Sequence, residues 1–172
     1  MLCVGDSITL GTGAGNRTLN AYPAVLQNLL GDDYEVINYG RGGSLGSDSS
    51  AYGYESTWNY SLSLRQAPDI VILAFGANDA QNGYNKVPLD YFKQEMLETI
   101  RTYQNLPSKP IVYMTTVTNI VDGWNQDWLT ELRAIQRDTI QTAGIGLIDA
   151  YNLSLTWDDD SSIYSDTCHF ND

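Results

Sequence analysis

Short runs of apolar residues alternate along this chain with longer segments whose apolar positions recur at helical spacing. The clearest run is residues 70–75, Ile-Val-Ile-Leu-Ala-Phe, which predicts a strand buried on both faces. Shorter runs rich in apolar and β-branched residues predict four further strands, at residues 2–4, 34–38, 111–116 and 146–149.

The segments between these runs place apolar side chains three and four positions apart, as on one face of a helix. They predict helices over residues 22–30, 55–66, 88–103 and 128–140, the third with Pro88 in its first turn. Strand and helix alternate throughout, which indicates a parallel sheet with helices on both faces. With no internal repeat, low-complexity tract or linker, residues 1–172 are expected to form a single α/β domain.

Composition excludes several classes of partner. The formal net charge of −12 and the pI of about 4.2 give a surface that repels phosphate backbones and anionic lipids. No apolar run approaches the roughly 20 residues that span a bilayer. We therefore expect neither nucleic-acid binding nor insertion into a membrane.

Metal and disulfide chemistry are not favoured either. Cys3 and Cys168 could form one disulfide, but free thiols are the preferred interpretation, since a buried strand cysteine is commonly a small apolar side chain. One histidine and two unpaired cysteines argue against zinc, and no cofactor is predicted. The run Asp158–Asp160 is interpreted as a solvated loop, with a calcium site as the alternative.

Chemically active residues follow four of the predicted strands, where ligands of open parallel sheets bind. They are Ser7 after the first strand, residues 38–43 after the second, residues 76–79 after the third, and residues 166–169 after the fifth. The carboxyl ends of parallel strands meet at one edge of a sheet. We therefore expect these widely separated groups to face a common crevice.

Each group suits acyl transfer. The Ser7 hydroxyl needs a base to become a nucleophile, and His169 is the only histidine. Asp166 could fix the tautomer of His169 and stabilise its protonated form. A glycine N–H, the Asn78 amide and the Ser7 N–H would stabilise a developing oxyanion.

Ordinary structural interpretations exist for each residue alone. A serine after a strand is more often a helix cap, a lone histidine is usually solvated, and Gly-x-Asn-Asp is often a turn. The joint occurrence of these signals, each at a strand end, favours a serine hydrolase. Residues 11–15, Gly-Thr-Gly-Ala-Gly, suggest an alternative class, a dinucleotide- or phosphate-binding protein in which they form the phosphate-binding loop. Their spacing departs from the dinucleotide pattern and no P-loop lysine follows.

Four blocks carry a resemblance to the SGNH hydrolases, also called GDSL-type esterases and lipases. The blocks are Gly5-Asp6-Ser7-Ile8-Thr9, Asn38-Tyr39-Gly40-Arg41-Gly42-Gly43-Ser44, Gly76-Ala77-Asn78-Asp79 and Asp166-Thr167-Cys168-His169. The resemblance covers nearly the whole chain, and residues 5–43 look most like bacterial carbohydrate acetylesterases.

The resemblance implies a fold and a set of roles. The fold would be a flavodoxin-like three-layer α/β/α sandwich with a five-stranded parallel sheet in the order 2-1-3-4-5. Ser7 would be the nucleophile, with Asp166 and His169 completing a triad. Ser7, Gly43 and Asn78 would form the oxyanion hole. Relatives usually carry a helix after the histidine, and this domain is expected to lack it.

We expect hydrolysis of short acyl esters, with acetylated carbohydrate as the substrate. Aromatic side chains suited to sugars are expected near the crevice, namely Tyr52, Tyr54, Trp58, Tyr60 and Tyr84. Of these, Tyr52 and Trp58 are assigned to substrate binding together with Asp6 and Asp79. Packing of the aromatics in the interior, a lipase or thioesterase specificity, and a catalytically weak sugar-binding domain are the alternatives.

Location and assembly are expectations of composition only. Few lysines, many Asn, Ser and Tyr residues and an acidic surface suit a secreted or periplasmic enzyme. A sheet face left uncovered near the last strand could be buried by a second copy, which would make the protein a homo-oligomer.

Overall fold

One parallel sheet of five strands organises the protein. The computed structural model describes residues 1–47, 51–80, 88–120, 124–157 and 161–172. The sheet has the order β2-β1-β3-β4-β5, which confirms the predicted topology. Its strands are β1 (Leu2–Gly5), β2 (Ile37–Gly40), β3 (Ile70–Ala74), β4 (Ile111–Thr115) and β5 (Gly146–Ile148).

Seven α-helices lie in the described residues. They are α1 (Ser7–Leu10), α2 (Arg17–Asn20), α3 (Tyr22–Leu30), α4 (Trp58–Ser63), α5 (Leu89–Gln104), α6 (Gln126–Ala143) and α7 (Ala150–Ser154). The three helices of four or five residues, α1, α2 and α7, are too short to show a helical period in the sequence. Helix α6 ends at Gly144, which has the left-handed conformation that suits glycine.

Several predicted boundaries are wrong for identifiable reasons. The helix predicted at 55–66 is a 3₁₀ turn, Tyr54–Ser56, followed by α4, because Thr57 is extended and caps α4 with its hydroxyl. Residues 34–36 do not continue β2, since the Gln27 side chain hydrogen-bonds the backbone of Tyr34 and Val36. Pro88 precedes α5 instead of lying in its first turn, and Asp149 caps α7 instead of ending β5.

Alternate residues of the strands face different layers, as strand geometry requires. Val71 and Leu73 belong to the main core. The core also holds apolar side chains of α5 and α6, including Phe92, Met96, Ile100, Leu129 and Leu132. Ile72 and Ala74, on the opposite face, line a groove of about 560 Å³ that α3 borders with Val25, Leu26 and Leu29. The sheet therefore has helices on both faces, as predicted.

Buried polar side chains of α6 support the segments that leave β3 and β4. The Gln136 amide donates to the carbonyl of Phe75 at 2.8 Å and accepts from the N–H of Val117 at 3.0 Å. Arg133 donates to the carbonyls of Val117 and Thr118, at 3.0 and 2.7 Å. These bonds replace the sheet ladder where the strands diverge, and they fix the backbone just before Asn78.

Both cysteines are free thiols, as predicted. Within the described residues, no helix is long and apolar enough to cross a membrane. The aspartate run Asp158–Asp160 and Tyr84 lie outside the described residues.

Replacing Gln136 with leucine should destabilise the protein, because the buried N–H of Val117 and carbonyl of Phe75 lose their hydrogen bonds to this side chain. We expect the free energy of unfolding to fall by about 2–4 kcal/mol, measured by urea denaturation with an unchanged m-value. Gln141→Leu, at an exposed position of the same helix, is the matched control. Equal stability of the two variants would contradict a supporting role for Gln136.

Candidate active site

Ser7 begins a short helix directly after β1. The Asp6 carboxylate caps this helix by accepting from the N–H of Ile8 at 2.9 Å. Ser7 is therefore the first helical residue, and its own N–H has no acceptor within the helix. This position leaves both the hydroxyl and the N–H of Ser7 free to face the carboxyl edge of the sheet.

Three side chains from opposite ends of the chain form a continuous hydrogen-bonded series. Nε2 of His169 lies 2.7 Å from Oγ of Ser7, and Nδ1 of His169 lies 2.6 Å from Oδ2 of Asp166. The other carboxylate oxygen of Asp166 accepts from the backbone N–H groups of Cys168 and His169, both at 2.8 Å. The structure thus brings together the three predicted triad residues in the predicted order.

The carboxylate of Asp166 is held in its charged form. Its partial burial works against ionisation, but the N–H groups of Cys168 and His169 and the imidazole together lower the pKa of Asp166 to about 2. The carboxylate side chain is 51% exposed, whereas the His169 side chain is only 17% exposed. A charged acceptor beside a shielded ring favours the tautomer that carries its proton on Nδ1.

The loop after β2 and the turn after β3 meet beside Ser7. A side chain at Gly42 would come within 3.9 Å of the Ser7 Cβ, so this loop adjoins the nucleophile. The Asn78 amide donates one hydrogen bond to the carbonyl of Ser44 at 2.9 Å, which fixes its orientation and leaves a second N–H. Gly43 is exposed and has a positive φ of 74°. The hydrogen bond between Asn78 and Ser44 therefore joins the two segments that carry the predicted oxyanion donors, Gly43 and Asn78.

Asp6 and Asp79 are not on the surface that a substrate would meet, and their predicted role in substrate binding is corrected accordingly. Both side chains are buried, at 2% exposure. Asp79 accepts from the N–H groups of Gly46 and Ser47, at 3.0 and 3.1 Å, and from the Ser47 hydroxyl. It ties the loop after β2 to the turn that carries Asn78, so it positions the segments that carry the predicted oxyanion donors.

These two carboxyl groups bind protons more tightly than exposed ones. Burial raises the pKa of Asp6 to about 7; the Ile8 hydrogen bond opposes the shift and the nearby Asp79 adds to it. Burial also raises the pKa of Asp79, although the hydrogen bonds from Ser47 and Gly46 oppose it. Two desolvated carboxyl groups behind the nucleophile disfavour each other's ionisation.

The predicted sugar-binding aromatics divide into two groups. Tyr54 is 2% exposed and packs on Phe75, and Tyr60 makes edge-to-face contacts with Tyr54 and Tyr103, so interior packing accounts for both. Tyr52 and Trp58 are 56% and 68% exposed. Only the second pair can offer a ring face to a ligand.

Cys168 lies against the ring of His169, with its sulfur 3.5 Å from Nδ1 and 3.9 Å from Nε2. Together with Asp166, these side chains place three possible metal ligands within 4.8 Å. The 2.6 Å separation of the imidazole nitrogen from the Asp166 oxygen is shorter than the roughly 3.3 Å between ligand atoms around tetrahedral zinc. A metal could bind only by breaking the hydrogen bond between them. Burial and the Asp166 charge also raise the pKa of the Cys168 thiol to about 12.

Two supporting residues were not predicted from the sequence. Ser47 donates to Asp79 from 32 positions away, and Trp124 donates from its indole to the Thr167 hydroxyl at 3.2 Å, beside the Asp166–His169 turn. Neither lies in a motif, and their partners are distant in sequence. Only the fold identifies them.

Serine, imidazole and carboxylate in hydrogen-bonded series at the carboxyl edge of a doubly wound sheet are the arrangement that a serine hydrolase requires. Residues 3–172 match the GDSL-like Lipase/Acylhydrolase family. The chain belongs to this family, which confirms the family that the four sequence blocks predicted.

Individual relatives agree with this membership. The chain is 27% identical over 192 aligned residues to an acetylxylan esterase of Xylanibacter ruminicola, covering 99% of this chain and 39% of that protein. It thus spans about two fifths of that relative's length. The fold is similar to the native M. smegmatis aryl esterase, with a TM-score of 0.78, 20% identity, and coverage of 98% of this chain and 89% of the other. A carbohydrate acetylesterase family member from Sinorhizobium meliloti gives a TM-score of 0.72, 20% identity, and coverage of 99% and 88%.

Because burial raises the pKa of Asp6, the free energy of unfolding of the protein should depend on pH. The folded protein keeps the Asp6 proton up to about pH 7, whereas the unfolded chain releases it near the ordinary value of 3.8. Stability from this group is therefore full below about pH 4 and declines as pH rises to about 7, by up to about 4 kcal/mol.

Asp6→Asn keeps an oxygen for the Ile8 N–H and should remove this decline. We expect the variant to gain stability relative to the original protein between pH 4 and pH 8 in urea denaturation. Asp32→Asn, at an exposed position, controls for the loss of one negative charge. A parallel pH profile of Asp6→Asn and the original protein would show that Asp6 is ionised in the folded state.

Proposed function

We propose that this protein is a serine esterase that removes short acyl groups, chiefly acetyl, from carbohydrate through an acyl-serine intermediate. The observation that carries the proposal is the unbroken series from Ser7 Oγ through His169 to Asp166, with distances of 2.7 and 2.6 Å. This arrangement gives the hydroxyl a base and gives the base a charged partner.

In the first step, Oγ of Ser7 attacks the ester carbonyl carbon while Nε2 of His169 takes the hydroxyl proton. The carbonyl oxygen becomes an oxyanion, which the N–H groups of Ser7 and Gly43 and the free N–H of Asn78 can stabilise. The ionised Asp166 stabilises the imidazolium that forms. The intermediate then collapses, the bond to the alcohol oxygen breaks, and His169 returns its proton to that oxygen.

In the second step, the same residues act on water. His169 takes a proton from a water molecule, whose oxygen attacks the acyl carbon bound to Ser7. Collapse of the second oxyanion breaks the acyl–Oγ bond, releases the acid and returns the proton to Ser7. The cycle consumes one water and requires only side chains and N–H groups of this chain.

Two observations support acetylated carbohydrate as the substrate. The relative from Xylanibacter ruminicola is an acetylxylan esterase, and the structural relative from Sinorhizobium meliloti is a carbohydrate acetylesterase family member. Tyr52 and Trp58 are exposed aromatic side chains of the kind that contact sugars, although the Arg65 guanidinium lies over one face of Trp58. A secreted or periplasmic location would suit such a substrate and is part of the proposal.

A second specificity is favoured by the apolar groove. Ile8, the residue after the nucleophile, lines the groove together with Leu26, Ile72 and Phe170. An acyl chain longer than acetyl could enter it, which would make the protein a lipase-like or thioesterase-like acyl hydrolase. The two candidates share the same catalytic residues and differ only in acyl length.

Ser7→Ala tests the nucleophile. We expect hydrolysis of p-nitrophenyl acetate to fall by at least about 10⁴-fold, because the acyl group loses its acceptor. A fluorophosphonate should add its mass to the original protein and not to the variant. Ser61→Ala, at an exposed position of α4, is the matched control and should retain full activity. Equal hydrolysis by Ser7→Ala and Ser61→Ala would refute the assignment.

The acyl specificity can be measured with p-nitrophenyl esters from acetate to decanoate and with acetylated xylo-oligosaccharides. For an acetylesterase, we expect kcat/KM to be highest for acetate and to fall as the chain lengthens, with acetate released from the oligosaccharide. An optimum at eight or ten carbons, with no acetate released from the sugar, would instead establish the lipase-like alternative.

A further inference from the structure

The glycine loop, residues 11–15, connects the nucleophile to the base. It leaves α1 directly, and the N–H groups of Gly11 and Thr12 donate to the carbonyl of Ser7 at 3.0 and 2.9 Å. One end of the loop is thereby fixed to the backbone of the nucleophile itself. The proposed reaction gives this loop no role, although its sequence resembles a phosphate-binding loop.

The anion that this loop binds is a side chain of the same protein. The N–H of Gly15 donates to a carboxylate oxygen of Asp172 at 2.8 Å. The Asn20 side chain and the N–H groups of Gly15 and Asn16 lower the pKa of Asp172, so the carboxylate stays ionised. The N–H groups of Gly11 and Thr12 donate to the carbonyl of Ser7, and that of Ala14 donates to the carbonyl of Gly11. These loop donors, like that of Gly15, already have partners within the chain, which argues against the nucleotide-binding alternative.

The segment that carries His169 packs on Gly13, in the middle of the loop. Gly13 has a φ of 96°, which disfavours any residue with a Cβ. A Cβ there would lie 2.4 Å from the carbonyl oxygen of Phe170 and from Oγ of Ser165, and 3.0 Å from the Cβ of His169. The segment carrying His169 thus packs directly on the backbone of Gly13.

That segment is a compact turn in its own right. The N–H of Ser165 donates to the carbonyl of His169 at 2.8 Å, and the N–H of Asn171 donates to the carbonyl of Ile163 at 2.9 Å. These bonds fix the shape of the turn but not its distance from Ser7. That distance depends on what the turn rests against.

We propose that the glycine loop positions the catalytic base. The turn that carries His169 packs on the backbone of Gly13, and the hydrogen bond between Gly15 and Asp172 holds the turn in that place. The loop is bonded to Ser7 at one end and to Asp172 at the other. It therefore sets the separation of Ser7 Oγ from His169 Nε2. Gly13 and Asp172 are positioning residues, since neither reaches the reacting atoms.

The single histidine allows a test that does not depend on activity. In a tag-free protein, every imidazole signal in the NMR spectrum belongs to His169. The proton between Nδ1 and Asp166 should give one low-field resonance protected from exchange. In Gly13→Ala, we expect this resonance to broaden or disappear. A displacement of His169 by about 1 Å should also lower kcat by about 100-fold.

Gly31→Ala is the matched control for Gly13→Ala. Gly31 also has a positive φ, 71°, but open space surrounds the position of a Cβ. An alanine at Gly31 therefore also carries a positive-φ penalty, but without touching the base. We expect Gly31→Ala to lower the melting temperature while the low-field resonance and kcat stay unchanged.

Asp172→Ala keeps the proposal testable if Gly13→Ala does not fold. We expect faster exchange of the low-field proton and a several-fold loss of kcat with KM unchanged, whereas Asp172→Asn should restore part of both. Asp138→Ala, which breaks an exposed ion pair with Lys93, is the matched control. A folded Asp172→Ala with the original resonance and kcat would show that Asp172 does not hold the turn in place.

The kinetic readout rests on the proposed function, but the spectroscopic one does not. If the original protein cleaves no ester, the esterase proposal fails, and the resonances of His169 still decide whether the loop positions it. If the original protein is active and Gly13→Ala keeps both its low-field resonance and its rate, the positioning role is overturned while the esterase proposal stands.

Discussion

The hydrogen bond between His169 and Ser7 is the constraint on which the rest of the site depends. Its two residues are 162 positions apart, yet their atoms lie 2.7 Å from each other. Parallel strands make this possible, because they bring every chain segment that leaves a carboxyl end to one edge. The register pairs Gly5 with Gly40 and with Ala74, so the segments that follow three strands start level. The sheet thereby brings residues that are distant in sequence into contact.

Two classes of carboxyl group serve this edge, and their environments explain their different work. Asp166 is half exposed and receives backbone and imidazole hydrogen bonds, so it stays charged and can stabilise a protonated base. Asp6 and Asp79 are desolvated, and burial raises the pKa of each. They hold backbone N–H groups instead of taking part in charge transfer. The same functional group is thus suited to the proposed catalysis in one setting and to a structural role in the other.

The sequence predicted what local chemistry encodes and missed what depends on distant partners. Buried runs such as residues 70–75 identified the strands, and their alternation with helices indicated a parallel sheet. The order of the strands came from the family resemblance. The predicted triad residues were placed by their motifs and by the family resemblance. Asp166 and His169 do not directly follow β5 as predicted, because α7 lies between them and the strand. The roles of Asp6 and Asp79 could not be predicted, since nothing near them in sequence shows that they are buried. The prediction that Tyr54 contacts sugar was wrong for a similar reason. An aromatic ring can contact a sugar or pack in the core, and the sequence around Tyr54 does not show which.

The glycine loop shows why a motif needs its surroundings before it indicates a function. Backbone N–H groups and positive φ angles are what an anion requires of a loop, and residues 11–15 supply both. Here the anion is Asp172, and the space left by Gly13 is filled by the turn that carries His169. In the proposed positioning role, a loop whose sequence resembles a phosphate-binding loop holds the base instead. Its N–H groups already have partners within the chain, including the carboxylate of Asp172.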